Sequence, residues 1–141
     1  MAEVRAAWQP SYAYLLAHDG MVLQGQRLDF HGLRLPWVSL DEVSPAFIHA
    51  LLVIEDQRFA QHHGVDWRAV LAALWQNLGS ERRRGASTLS MQLASLLDDA
   101  APPARGRRGL RTKWRQMRAA QSLEDSWRKA EMLETYVNEA R

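Results

Sequence analysis

The chain has 141 residues, with 18 Lys and Arg against 16 Asp and Glu, a net charge of +2, and 47% hydrophobic content. That suffices for one folded domain but not two, and no apolar run approaches the ~20 residues of a membrane-spanning helix. The absence of cysteine excludes disulfides and thiolate chemistry and leaves the compartment open.

The opening Met1-Ala2-Glu3-Val4-Arg5 leads into a mixed segment with no apolar signal region. The chain therefore reads either as cytosolic or as a domain taken from something longer. Tyr12 to Ala17 and Met21 to Arg27 flank His18-Asp19-Gly20, a spacing that predicts a hairpin, because Asp-Gly tolerates a turn with positive φ. Leu33 to Val38 adds a third expected strand, confined to an edge by Pro36. Residues 12–38 thus form a small β region, and residues 44–141 a helical body within the same single domain.

Ser44-Pro45 predicts a helix start, with Ser44 as N-cap and Pro45 at the first position. From there Ile48, Leu51, Leu52, Glu55 and Phe59 fall on one stripe at helical spacing. If the helix runs through, Glu55 lies on the apolar face, where a carboxyl has its charged form disfavoured and becomes a candidate base. If the helix ends near Ile54, Glu55 points to solvent. Around it, residues 54–66 gather three acids, two histidines, an arginine and a glycine, a concentration of ionisable groups that calls for a function.

Asp66 caps the next expected helix, with Val65 and Val70 as a hydrophobic staple. Trp67, Val70, Leu71, Leu74, Trp75 and Leu78 form a stripe expected in the core, and Gly79 a stop. An arginine-rich loop over 80–85 leads to Gly85-Ala86-Ser87-Thr88-Leu89-Ser90-Met91-Gln92-Leu93-Ala94. Here Ser87 is the expected N-cap. Leu89, Leu93, Leu96 and Leu97 should face inward, and Thr88, Gln92 and Ser95 the other way. This helix start is either an anion site or an ordinary cap. Residues 98–109 read as a linker. Leu110, Trp114, Met117, Gln121 and Glu124 mark a fourth helix, with Glu124 expected to partner an arginine. Leu133, Tyr136 and Val137 mark the last helix.

Arg105 to Arg118 carries seven basic residues and no acid. It reads as a solvated face or as a surface for phosphate, in nucleic acid or in lipid headgroups. No nucleic-acid module accompanies the charge, so nucleic acid is not an expected partner.

Four ordered segments carry a resemblance. They are Glu55-Asp56-x-x-Phe59-x-x-His62-x-Gly64-Val65-Asp66; Gly85 to Leu93; Lys113-Trp114-Arg115-Gln116 with Leu123-Glu124; and Lys129 through Glu131-Met132-Leu133-Glu134-x-Tyr136-Val137-Asn138. Together they resemble the motifs of the peptidoglycan glycosyltransferases, which comprise the glycosyltransferase modules of class A penicillin-binding proteins and the monofunctional transglycosylases. The Trp37 to Pro45 segment fits as well.

The resemblance implies a mainly α, lysozyme-like glycosyltransferase fold with a small N-terminal β region, on the periplasmic face of the bacterial cytoplasmic membrane. The implied reaction polymerises lipid II into glycan strands, expelling undecaprenyl pyrophosphate with inversion. Glu55 matches the general base that takes the proton from the acceptor hydroxyl. Asp56, Phe59 and His62 match positions that shape the site, and Ser87, Thr88 and Gln92 match the donor-side helix. Lys113 matches a basic residue facing the pyrophosphate, with Arg111 as a further substrate-binding candidate. The implied partners are lipid II, the nascent glycan chain, the membrane surface and an adjoining transpeptidase domain. No cofactor is certain; a divalent magnesium or manganese ion is the one candidate.

The chain also departs from the pattern. Gln116 stands where the third motif usually has a second glutamate, as in one bifunctional branch that this chain most resembles. Ser95 and Leu96 stand where the second motif continues into a basic residue and often asparagine. The family continues past Tyr-x-Asn into a glycine-rich segment, so a C-terminally truncated domain is expected. The alternative reading is a degenerate module that binds lipid-linked pyrophosphate without turnover.

Overall fold

The computed structural model describes residues 1–30, 33–77, 85–98 and 110–140. In chain order the described elements are α1 (Ala2–Ala7), β1 (Tyr12–Leu16), β2 (Val22–Arg27), a short 3-10 turn (Leu40–Glu42), α2 (Pro45–Glu55), a second 3-10 turn (Phe59–Gln61), α3 (Trp67–Asn77), α4 (Leu89–Leu96), α5 (Leu110–Ser126) and α6 (Lys129–Glu139). The protein is mainly α with one small antiparallel sheet, as the sequence implies. The expected stop at Gly79, the arginine-rich stretch over 80–84 and most of the linker, with Arg105 to Arg108, lie outside the described residues.

The hairpin forms where expected, with Tyr12 opposite Arg27 and Leu16 opposite Val22. Its turn needs Gly20, at φ +85°, and the Asp19 carboxylate accepts the Met21 N–H at 3.0 Å. The expected third strand over 33–38 does not form. Its backbone is bonded elsewhere: the Arg34 N–H and C=O to Ser11, at 2.8 and 2.7 Å, and the Leu35 carbonyl to Trp8 Nε1 at 2.9 Å, while side chains of α6 hold the end of the segment. Trp37 Nε1 and the Leu40 N–H donate to the two oxygens of Glu134, at 2.9 and 3.1 Å. Asn138 binds both the N–H and the C=O of Val38, at 2.9 Å each. A segment whose polar groups are satisfied this way has no ladder to offer a sheet. Helix α1, which the sequence reading missed, brings Trp8 edge-on to Trp37 at 5.3 Å.

Helix α4 is the centre. Leu89, Ser90, Met91 and Leu93 are all buried, so it is enclosed on more than one side. On one side Leu89 and Leu93 meet Phe59, Met132, Leu133 and Tyr136, with Ile48, Leu51 and Leu52 of α2 packed against them. On another, Met91 meets Val65 and Ala120, with the stapled Val70 and Met117 alongside. Each of the fully buried Leu89, Met91, Leu93 and Met132 contributes about 1.5–3 kcal/mol over an exposed side chain. Leu96, expected inside, is exposed, while Leu97 packs against the core as expected.

Gly64 sets how close the loop after α2 comes to α5. It sits at φ +76°, and a Cβ there would lie 2.8 Å from the backbone of Ala120 and Gln121. Only glycine allows both the left-handed backbone and that approach.

The apolar stripe expected inside on α3 is outside: among its described side chains only Ala73 is buried, and Trp67, Leu71, Leu74 and Trp75 are exposed, Trp75 by 80%. Trp114 of α5 is exposed as well. The spacing correctly marked an amphipathic helix, yet within the described fold α3 turns its smaller residues, Val70 and Ala73, inward.

Asp66 caps α3 as expected, accepting the Ala69 N–H at 3.0 Å, and also takes both arms of Arg58 at 2.8 and 2.9 Å. Burial pushes this carboxyl up, but the Ala69 N–H, Arg58 and His62 outweigh it and hold it below 3.8. A carboxylate depressed in the folded state stabilises the fold above its unfolded value, and that contribution is lost as pH falls through the folded value. Asp66→Asn should therefore lower stability at neutral pH by about 1–2 kcal/mol and flatten the loss of stability below about pH 4. Urea unfolding across pH reads both effects; an unchanged acid limb would contradict the assignment.

Candidate functional site

The site begins where α2 stops. Asp56 is its C-cap, at φ −160°, so the chain bends there and Phe59 leaves the stripe it shares with Ile48 and Leu52 in sequence. Phe59 sits in the following 3-10 turn and is buried. Glu55 is the last helical residue and is exposed. Of the two alternatives for Glu55 the second holds: the helix ends at this residue, and its carboxylate faces an open groove.

Asp56 turns the opposite way. Its buried carboxylate accepts the Leu89 N–H at 3.0 Å and His62 Nε2 at 2.9 Å. The first orphan N–H of α4 is thereby satisfied by a side chain at the end of α2. A carboxylate is acceptor-only, so His62 carries its proton on Nε2. His62 Nδ1 is buried without a hydrogen-bond partner, 4.0 Å from Glu124. Glu124 in turn accepts Ser90 Oγ at 2.5 Å and Lys129 Nζ at 2.7 Å. It is a structural partner, as expected, though for a lysine and not an arginine. Lys129 also donates to the His62 carbonyl at 2.8 Å and stands 4.4 Å from the centre of the Phe59 ring.

With Asp56 fixed, Glu55 lies over α4. Gln92 Nε2 donates to Glu55 Oε2 at 2.9 Å, and the Tyr136 hydroxyl of α6 donates to Gln92 Oε1 at 3.0 Å. The groove in front of Glu55, about 330 Å³, is lined by Val53 to Arg58 and by Gly85 to Thr88, with Asp66 and Ala69. A second groove of about 420 Å³ lies beyond the Arg58–Asp66 pair, against Trp67, Arg68 and Gln121, and does not include Glu55.

On the facing wall Thr88, not Ser87, caps α4. Thr88 Oγ1 accepts the Met91 N–H at 3.2 Å and donates to the Gly64 carbonyl at 2.6 Å. Ser87 is engaged elsewhere, accepting Lys113 Nζ at 2.5 Å. The expected cap is thus corrected by one residue, from Ser87 to Thr88. Arg111 is exposed on the first turn of α5.

The candidates thus separate into two groups. Glu55, Ser87, Gln92 and Lys113 stand at or beside the groove with polar groups toward one another. Asp56, Phe59, His62 and Thr88 are bonded or packed within the protein and hold the first group in place. Tyr136 was missed as a site residue, although it was named among the helically spaced residues of the last helix; a hydroxyl among those apolar residues is the signal that could have found it.

The two departures from the expected motifs meet. Gln116 Nε2 donates to Ser95 Oγ at 2.8 Å, and Ser95 Oγ donates to the Met91 carbonyl at 2.9 Å. A divalent cation finds no donor set among the described residues, where no three His, Asp or Glu side chains are placed to ligate one.

Comparison with known proteins follows the same ground. Over 130 residues the chain is 36% identical to a biosynthetic peptidoglycan transglycosylase of Pasteurella multocida, covering 92% of this chain and 50% of that protein. Over 127 residues it is 38% identical to penicillin-binding protein 1C of Escherichia coli, covering 89% and 16% respectively. A shorter match of 63 residues, 52% identical, pairs 45% of this chain with 27% of a biosynthetic peptidoglycan transglycosylase of Rhodospirillum centenum. The chain spans half the length or less of each of these relatives. The family profile described as "Transglycosylase" matches residues 23–141, from β2 to the last residue and across both walls of the groove, and the chain belongs to that family.

Proposed function

We propose that this chain is a peptidoglycan glycosyltransferase domain that extends glycan strands from lipid II, with Glu55 as the general base. The observation that carries the reading is the groove itself. A carboxylate oriented by an amide N–H faces a wall that carries Ser87, Lys113 and the start of a buried helix. Glu55 takes the proton from the acceptor sugar hydroxyl as that oxygen attacks the donor's anomeric carbon and the lipid pyrophosphate leaves. Lys113, beside the α4 N-terminus, offers positive charge where the leaving group gains negative charge. No step of the scheme passes through a divalent cation.

A site that handles a lipid-linked substrate belongs at a membrane, and the exposed surface supports that placement. Trp67, Leu71, Leu74 and Trp75 form an apolar stripe on α3, and Phe47, Val53 and Ile54 are exposed on α2, whose Val53 and Ile54 also line the groove. Exposed aromatic and aliphatic residues of this density mark an interaction surface. With no helix long and apolar enough to cross a membrane among the described residues, the reading is a surface lying in the interface on the periplasmic side of the inner membrane. A transpeptidase domain elsewhere in the same protein is part of this reading, supported by the likeness to penicillin-binding protein 1C.

One observation favours the second reading, a module that binds lipid-linked pyrophosphate without turnover. The Gln116–Ser95 pair is neutral, so neither a second carboxylate nor a donor-side cation stands there.

In the full-length protein that carries this domain, Glu55→Gln should reduce lipid II polymerisation by about 10²–10⁴-fold, the usual contribution of a general base, with the melting temperature unchanged. Undiminished polymerisation in the variant would overturn the assignment; lipid II bound by the wild type with no polymer formed would select the second reading. Trp75→Glu with Leu71→Glu should lower binding to vesicles of phosphatidylethanolamine and phosphatidylglycerol by about tenfold. Binding that is indifferent to both changes would remove the α3 surface from the account.

A further inference from the structure

Helix α6 sends one hydroxyl toward the site. Tyr136 is a core residue, packed among Leu89, Leu93, Met132 and Leu133, yet its oxygen reaches Gln92 Oε1 at 3.0 Å. Burial first, and the Glu55 charge second, push its phenol above the usual 10.0, so it keeps its proton and donates. Gln92 passes the constraint on, because its amide has a donor side and an acceptor side. With the carbonyl committed to Tyr136, the NH₂ must face Glu55, where it donates at 2.9 Å. A reversed amide would set an acceptor against an ionised carboxylate.

We propose that Tyr136 is a positioning residue which, through the Gln92 amide, fixes the orientation of the Glu55 carboxylate and adjusts to its protonation. When Glu55 accepts the acceptor's proton it becomes a donor. The Gln92 amide then turns over, its carbonyl accepting from Glu55 and its NH₂ donating to the Tyr136 oxygen. A hydroxyl serves in both arrangements and a phenyl ring in neither. No bond is made or broken beyond the proton already transferred.

Other charges near Glu55 are committed elsewhere. Of those lining the groove, Asp56 is bound to His62 and Leu89, and Arg58 and Asp66 are bound to each other. Lys113 of α5 bonds Ser87 on the facing wall. Tyr136 is the group that α6 presents.

The inference rests on Glu55 being the base, and two readouts on Tyr136→Phe separate the two claims. The first is the NMR titration of the Glu55 carboxyl carbon, which needs no turnover. Loss of the fixed amide donor should move its midpoint upward by about half a pH unit, and an unmoved midpoint overturns the link. The second is polymerisation by the full-length protein. The turnover number should fall about tenfold with KM within about twofold and the melting temperature retained, and the acid limb of the rate profile should shift with the carboxyl. In a Glu55→Gln background the same change should have no further effect on residual rate. An equal loss in both backgrounds would make Tyr136 merely structural and overturn the proposal. If the titration moves but Glu55→Gln polymerises normally, the base assignment fails while the Tyr136–Gln92–Glu55 link stands.

Discussion

The site depends on one buried carboxylate. Asp56 ends α2, and its side chain supplies the acceptor that the first N–H of α4 needs. Burying a carboxylate is costly unless hydrogen bonds replace its water. Here the Leu89 N–H, the His62 ring and the positive end of the α4 dipole do so. The bond fixes how far the end of one helix lies from the start of the other. Glu55, one residue earlier, is held over Gln92 one turn into α4 as a consequence. Behind Asp56 the network continues through His62, Lys129, Glu124 and Ser90, tying in α5 and α6. The exposed carboxylate at the end of α2 is therefore backed by a network that includes the buried Asp56 and Ser90.

Charge is arranged economically around the groove. Arg58 and Asp66 neutralise each other, and Glu124 and Lys129 do the same deeper in. Among the described residues Glu55 is held by a neutral amide and by no cation. Gln116 and Ser95, each of which looks like a loss when read alone, turn out to be bonded partners. An amide and a hydroxyl that satisfy one another leave no unpaired charge at that point.

What the sequence made legible was local. Asp19-Gly20 specified a turn, Pro45 a helix start and Asp66 a cap, because each acts through backbone groups within three residues. What stayed hidden was decided by distant residues. Leu33 to Val38 has strand character, but its backbone is bonded to Ser11, to Trp8 and, a hundred positions away, to Asn138. Ser87 and Thr88 are both good capping residues, and the cap falls to Thr88, which also bonds the distant Gly64 carbonyl. The stripe from Ile48 to Phe59 keeps helical spacing beyond the end of the helix, because Phe59 reaches the same core from a 3-10 turn. Periodicity reports which side chains are buried together, and two different backbones can meet it. On α3 the spacing marked an apolar face but could not say whether protein or membrane would cover it.

The central claim is that the Asp56 tie, and with it the placement of Glu55, makes the groove reactive. Its most direct measurement is the single-turnover rate of glycan bond formation on bound lipid II with Asp56→Asn, which keeps the shape of the residue and removes its charge. The account predicts a rate lower by about a hundredfold, as a base displaced by about an ångström would give, with lipid II affinity nearly unchanged. A variant that reacts at the wild-type rate once substrate is bound would contradict it.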